Sequence, residues 1–333
     1  RNTGFEVEGN LSLIRNPKGF NWDFSFNASL VHNKIIKLPY NGNENNRQGG
    51  TQVFDPKTQQ VIWVGGYQEG HTMGDIYAYK QVKILSDWNE VNTMAGNYID
   101  MIAGLYGPNV SDADKKKYGL TKPIEPGDVL WADLDGNHKI DQLDRVKVGN
   151  IYPKWTGGFS TTLSYKNVSL YGRFDFALGH TILNMVAMRS LGQSVGFKNI
   201  IKEGLKTWTE ENTNTDLPKS YYDDSTNKKN IYRDTKGSDI TSVNDRSSRF
   251  YEKGDYLALR ELTLNWKLPV NWISKVGMTN ASVYITGQNL FYITGYSGSS
   301  PEAPLTYPGV DAGRYPTCLL YTSPSPRDRS LSR

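Results

Sequence analysis

The sequence has one cysteine, Cys318, among 333 residues, so it holds no internal disulfide. Its four histidines, His32, His71, His138 and His180, stand apart from one another. No GxSxG, HExxH, CxxC or phosphate-loop pattern occurs, which leaves nucleophilic, zinc-dependent and nucleotide-dependent catalysis without a motif. The acidic pairs Glu210-Glu211 and Asp223-Asp224 have the residue types of a glycosidase, but in such polar surroundings they read as solvated charge. There is no run of 18 apolar residues, and mean hydropathy is −0.58, so nothing suggests a helical membrane protein. A net charge of +4 is too small to point to nucleic acid. Arg1-Asn2-Thr3-Gly4 does not read as a signal peptide. Low hydropathy does not exclude a β-barrel, because half of each barrel strand faces a polar lumen.

What the chain does have is aromatic residues, 12% of the total with 21 Tyr and 8 Trp, and long stretches that alternate with period two. From Asp255 to Phe291 two such stretches are joined by a short connector. In the first, Leu262, Leu264, Trp266 and Leu268 fall on one face and Glu261, Thr263, Asn265 and Lys267 on the other. Pro269 ends it for want of a ladder N–H, and a second strand runs from Ala281 to Phe291. Gly4 to Ile14 sets Phe5, Val7, Gly9, Leu11 and Leu13 against polar residues, and Asn16-Pro17-Lys18-Gly19 supplies a turn. Asn21 to Val31 sets Trp22, Phe24, Phe26, Ala28 and Leu30 against polar residues in the cleanest alternation of the chain. Gly157 to Val168 resumes the pattern, turning near Lys166-Asn167 into Val168 to Leu178. These are the lengths and faces of transmembrane β-strands, and Leu170, Phe174, Phe176, Leu262, Leu264 and Trp266 are expected to face lipid. A soluble sandwich would also alternate, so the period alone leaves that choice open.

Two excursions interrupt the strands. If the Asn16 and Lys166-Asn167 turns lie on one side, an even number of crossings separates the strands that begin at Asn21 and Gly157. Zero is simplest, which makes Lys34 to Tyr152 one long loop; a crossing near Ile76 to Ile84, with a second, is the alternative. Within it, Asn41 to Gly50 reads as a polar mobile loop and Ser111 to Tyr118 as a charged solvated patch. The second excursion, His180 to Gly254, reads as an amphipathic helix or helix pair over Ile182 to Thr209, then a disordered polar segment from Asn212 to Asp245. Short connections on one side and long ones on the other mark a barrel.

Two constellations carry candidate chemistry. Asp133, Asp135, Asn137, the Lys139 carbonyl, Asp141 and Asp144 occupy positions 1, 3, 5, 7, 9 and 12 of a loop with the oxygen spacing that wraps Ca2+. His138 stands where glycine makes the sharp turn, and Asp144 has a shorter arm than the usual bidentate glutamate; the alternative is an Asp/Asn turn closed by its own side chains. Trp63, Tyr67, Tyr77, Tyr79, Trp88 and Tyr106 all lie in the first excursion, where a sugar or peptide arriving from outside would meet flat rings. Packing within the loop is the alternative for each.

Several ordered motifs resemble one family. Ser247-Ser248-Arg249-Phe250-Tyr251-Glu252-Lys253-Gly254-Asp255-Tyr256-Leu257, Gly287-Gln288-Asn289-Leu290-Phe291, Thr294-Gly295-Tyr296, Pro301-Glu302 and Gly309-Val310-Asp311-Ala312-Gly313-Arg314-Tyr315-Pro316 are similar to the closing strands of SusC/RagA-type TonB-dependent outer-membrane transporters. Trp208-Thr209-Glu210-Glu211-Asn212 and Asp133 to Asp144 fit the same pattern. Ala258 departs from the usual Arg or Lys, and Ser300 from the usual Asp. The resemblance implies an all-β fold for residues 1–316: a partial antiparallel transmembrane barrel, roughly seven strands of a larger wall, whose long extracellular loops contain short helices. It also implies residence in the bacterial outer membrane, in contact with its lipid, and import of glycans or peptides with a SusD-like surface lipoprotein and the TonB system. The plug and TonB-contacting segment are expected upstream. Residues 317–333, TCLLYTSPSPRDRSLSR, read as adaptor or vector sequence. Two rival readings are a passive porin or anchor barrel and a soluble, calcium-stabilised carbohydrate-binding β-protein.

Overall fold

Six long strands are built where period two is strongest: β1 (Asn2–Ile14), β2 (Phe20–Asn33), β3 (Trp155–Tyr165), β4 (Val168–Leu178), β5 (Tyr256–Lys267) and β6 (Ser282–Thr294). Each pairs antiparallel with its neighbours in sequence, giving one open six-stranded sheet. The structure is a computed structural model that describes residues 1–191, 202–220, 231–233, 239–241, 247–302 and 309–311. The adaptor-like segment 317–333 lies outside the described residues, as does most of 221–245 in the stretch expected to be disordered, Asn212 to Asp245. The first part of that stretch, 212–220, is ordered instead, with Leu217 buried and the Asn212 side chain donating to the Lys206 carbonyl at 3.1 Å. At about 3.4 Å per residue, strands of 11 to 14 residues are long enough to cross a bilayer on a tilt.

β2 lies directly against β3, from Phe20 beside Tyr165 to Leu30 beside Trp155. The first excursion therefore adds no strand to the sheet, and the segment near Ile76 to Ile84 is not a crossing. Asp75–Tyr79 pairs instead with Arg145–Asn150, and Gln81–Ile84 with Val129–Trp131, inside the excursion. Among the described residues the sheet has six strands rather than about seven.

The registers place the apolar residues on one face. Leu30, Ala28, Phe26, Phe24 and Trp22 of β2 lie beside Trp155, Gly157, Phe159, Thr161 and Leu163 of β3. Phe159, Leu163 and Gly157 in turn face Phe174, Leu170 and Phe176 of β4, and Leu170 and Val168 face Leu264 and Trp266 of β5. Phe24, Phe159 and Phe174 form a ladder across three strands, with centroids 5.8 and 4.6 Å apart, an arrangement worth more than its area alone. Gly9 belongs to this face because the Phe26 ring lies over it; a Cβ there would meet that ring at 2.4 Å.

Three irregularities interrupt the alternation. β1 slips between Ser12 and Ile14, so Ile14 rather than Leu13 continues the apolar face opposite Trp22. β5 carries an extra residue between Leu259 and Glu261, and β6 one between Gln288 and Phe291. Arg260 is the residue that the β5 bulge leaves over, and beyond it Leu259 and Leu257 take the apolar side.

The first excursion folds around a core of its own. Tyr79, Leu85, Val91, Ala95, Ile140 and Trp131 are among its buried members. Asp87 caps the helix Trp88–Met94 by accepting the Glu90 N–H at 2.8 Å. The solvated segment at 111–118 is the helix Asp112–Tyr118, capped by Ser111 and ended by a left-handed Gly119. The polar segment Asn41 to Gly50 takes a defined shape: the Asn41 side chain donates to the Arg47 carbonyl at 2.9 Å, and Asn46 donates to Glu69 at 2.9 Å. In the second excursion the only described α-helix is Met185–Leu191, preceded by the strand Thr181–Asn184 and followed after the undescribed residues by a 3-10 turn at Lys202–Lys206. Thr181–Asn184 is a strand where a helix is expected, because it pairs with Tyr251–Lys253 and Val310–Asp311.

Candidate functional site

The polar face of the sheet carries an open concavity of about 580 Å³. Glu8, Asn10, Ser25, Arg173, Asp175 and Arg260 are among its lining groups. Its most connected member is Arg260, which the bulge in β5 turns to this side. The guanidinium contacts both Asp175 oxygens and Glu302, and donates to Tyr292 Oη at 3.1 Å. Tyr292 donates onward to the second Glu302 oxygen at 3.1 Å. His180 reaches the Pro301 carbonyl through Nε2 at 3.2 Å. The segment around Pro301-Glu302 is thus tied over the polar face by charge-assisted contacts, which are stronger than neutral hydrogen bonds. Alternation alone misses this network, since it assigns Arg260 to the face of Leu262; a lone Arg in an apolar row is the signal that could have marked the bulge.

In the acidic loop the structure gathers Asp133, Asp135 and Asp144, each of which brings one carboxylate oxygen within 4.8 Å of those of the other two. His138 takes φ +61°, so the chain makes the left-handed turn at position 6 without glycine. Asp133 accepts the amides of Gly136 and His138 at 2.8 and 2.7 Å. Asp144 is buried and accepts the amides of Leu134 and Asp141 at 2.8 and 2.9 Å, which closes the loop on itself. Asn137 and Asp141 are engaged locally: Asn137 Oδ1 accepts from Lys139 N–H, and Asp141 caps the 3-10 turn at Leu143, each at 2.7 Å. Lys139 enters the short strand Lys139–Ile140 beside Ile99–Asp100. Three of the six expected ligands therefore converge, and the donor set is the hard oxygen chemistry that suits Ca2+. Burial pushes the Asp144 carboxyl up to about 6, and burial together with the neighbouring Asp133 raises Asp135. Asp100, wholly buried beside this loop, is pushed up to about 7 by burial, with Asp128 and Asp144 adding to the effect.

The six aromatic candidates sit on separate elements of the excursion. Tyr79 is wholly buried in the core, with Trp131 edge-on at 6.2 Å, and offers no face to a ligand. Tyr77, on the same strand, is half-buried, and its hydroxyl is pushed up to about 12 by burial and by Asp75. Arg47 covers the Trp63 ring at 4.0 Å, and the Lys115 ammonium lies 4.7 Å from the Tyr106 ring. Trp88 and Tyr67 are the exposed pair, at 58% and 53%. Trp208, singled out in sequence only as part of a motif, is buried in the first excursion's core and donates Nε1–H to the Ser86 carbonyl at 3.2 Å. Gly127 takes φ +93° beneath it, where a Cβ would come within 2.8 Å of the indole. This clasp holds the two excursions together.

No protein-family model matches the chain. It is 30% identical over 330 residues to TonB-dependent receptor P3 of Formosa agariphila, a match that covers 96% of this chain and 28% of that protein. It is 24% identical over 332 residues to TonB-dependent receptor SusC of Bacteroides thetaiotaomicron, covering 96% of this chain and 25% of that protein. Among solved structures it is similar to the RagAB peptide transporter, with a TM-score of 0.60 and 22% identity over 95% of this chain and 28% of that one. The chain spans about a quarter of the length of these relatives. They are named as receptors and transporters rather than enzymes. Closing motifs, sheet and relatives agree that the chain is SusC/RagA-like, related over nearly its whole length to TonB-dependent receptors.

Proposed function

We propose that this chain forms part of the barrel wall of an outer-membrane importer that takes up oligosaccharides or peptides with energy from the TonB system, under a SusD-like surface lipoprotein. The observation that carries the reading is the two-faced sheet. Phe5, Leu264 and Ile285 of the apolar face are 60%, 46% and 72% exposed, so among the described residues no second layer covers it, as a soluble sandwich would require. Exposed apolar area on this scale marks a surface meant for lipid or a partner. The opposite face is polar and concave, as a transport lumen is, and both excursions leave the same end of the sheet. The peptide named for RagAB and the exposed ring of Trp88, a flat surface of the kind on which sugars stack, are what motivate the two substrate classes. The acidic loop enters this reading as a calcium-held brace of the first excursion, with Asp133, Asp135 and Asp144 as its ligands.

The test is uptake of fluorescent oligosaccharides and peptides by cells that express the full-length protein, with and without TonB. TonB-dependent accumulation of one class is expected. Equal entry in both strains would favour a passive porin.

A further inference from the structure

The turn end of the sheet combines a charge pattern and an apolar surface that the transport reading does not use. Three turns close the strands there, and they carry Arg15, Lys18, Lys166, Lys267 and Lys275. No Asp or Glu occurs at residues 13–21, 165–168 or 266–282. All five cations are exposed, and among the described residues none forms an ion pair with a carboxylate.

The connector between β5 and β6 is more than a turn. Val270–Ile273 forms one helical turn, Ser274–Val276 a 3-10 turn, and Gly277 closes them at φ +76°. Buried Ile273 anchors the connector, while Val270, Trp272, Val276 and Met278 are 62%, 61%, 69% and 53% exposed. Trp272 meets Trp266 edge-on, with centroids 5.9 Å apart and planes at 86°. Trp266 lies on the apolar face of β5, beside Val168 of β4 and Val283 of β6. The connector's apolar surface is therefore continuous with the face read as lipid-contacting. Indole rings settle at the boundary between hydrocarbon and headgroups, and lysine stems let ammonium groups reach the phosphates beside them.

We infer that this end docks onto a leaflet of anionic phospholipid, with Trp266 and Trp272 at headgroup depth and Lys166 and Lys275 on the phosphodiesters. The absence of carboxylates in all three turns gives the charge complementarity, because an acidic group there would repel the same phosphates. The inference rests on the barrel reading above.

The full-length receptor is reconstituted in nanodiscs of phosphatidylcholine with and without phosphatidylglycerol, and its unfolding midpoint is read from heat-modifiable migration. Phosphatidylglycerol is expected to raise the midpoint of the unmodified protein. The rise should vanish in the double variant Lys166→Gln, Lys275→Gln and return when the same two positions are changed to Arg. Equal midpoints in both lipids, or the same rise in the Gln variant, overturn the inference. So does a rise reproduced by soluble glycerol phosphate, which would mean a small-anion site, not a leaflet. Insertion in both lipids with no lipid effect sinks this inference alone, whereas insertion in neither removes the barrel reading with it.

Discussion

Arg260 grips Asp175 across the β4–β5 pair, Nε on one carboxylate oxygen and Nη2 on the other, the latter at 2.9 Å. The bulge makes this geometry available, since in unbroken alternation Arg260 would share the face of Leu262 and point at lipid. The same guanidinium holds Glu302, so one side chain fixes both the strand pair and the segment folded over it.

Arg260→Ala leaves Asp175 and Glu302 facing each other without their cation. Both partners are partly exposed, so the cost is set between that of a surface pair and that of a buried one, about 1–3 kcal/mol. Asp175→Asn should cost less, and a double-mutant cycle on unfolding of the full-length protein should show coupling. Additive effects would mean that the contact does not hold the strands.

Leu262→Arg, near the middle of β5, is expected to destabilise the inserted barrel by about 2–4 kcal/mol, and Leu264→Arg, closer to the turn, by less. The comparison is read from unfolding in lipid vesicles. Equal tolerance at both sites would place this face away from hydrocarbon.

Trp208→Ala removes the indole that joins the excursions, and with it the contact over Gly127 and the bond to the Ser86 carbonyl. Loss of a large core aromatic costs about 3–5 kcal/mol. Limited proteolysis should then cut within residues 202–220 while the strands stay protected; an unchanged digestion pattern would count against the clasp.

Asp100 accepts the amides of Ile102 and Ala103 through Oδ1, both at 2.9 Å, and is pushed up to about 7 by burial. In the unfolded chain its carboxyl titrates near 4, roughly as a free aspartate does. The folded protein therefore keeps a proton that the unfolded chain has lost. The stability this proton supports is full below pH 4 or so and is lost as pH rises through about 7. Asp100→Asn keeps the acceptor and removes the titration, so it should raise the melting temperature at pH 8 and change it little at pH 4. A gain of the same size at both pH values would show that burial of the charge is not the cause.

Calcium added to the full-length protein should raise its thermal midpoint by joining three repelling carboxylates, and Asp133→Ala should abolish the gain. Calorimetry without calcium-dependent heat would leave the loop as a turn closed by its own side chains.

Period two is a property of neighbouring residues, and so the sequence by itself determined where the six strands lie and which side of β2, β3 and β4 is apolar. The turns at Asn16-Pro17-Lys18-Gly19 and Lys166-Asn167 were legible for the same reason, whereas zero crossings between β2 and β3 was only the simpler of two counts until the register of that pair decided it. The ordered closing motifs made the relationship to TonB-dependent receptors readable before any fold. Tertiary structure alone decided what depends on contacts between distant parts of the chain. It placed Arg260 on the polar side through a bulge, decided for Tyr79 between a ligand-facing ring and packing within the loop in favour of packing, and sent Trp208 from one excursion into the other. In the acidic loop, sequence spacing named six ligands, but local hydrogen bonding drew Asn137 and Asp141 to backbone amides and left three carboxylates together. Side chains in loops are placed by whichever partner lies nearest in space, and that partner is often far away in sequence.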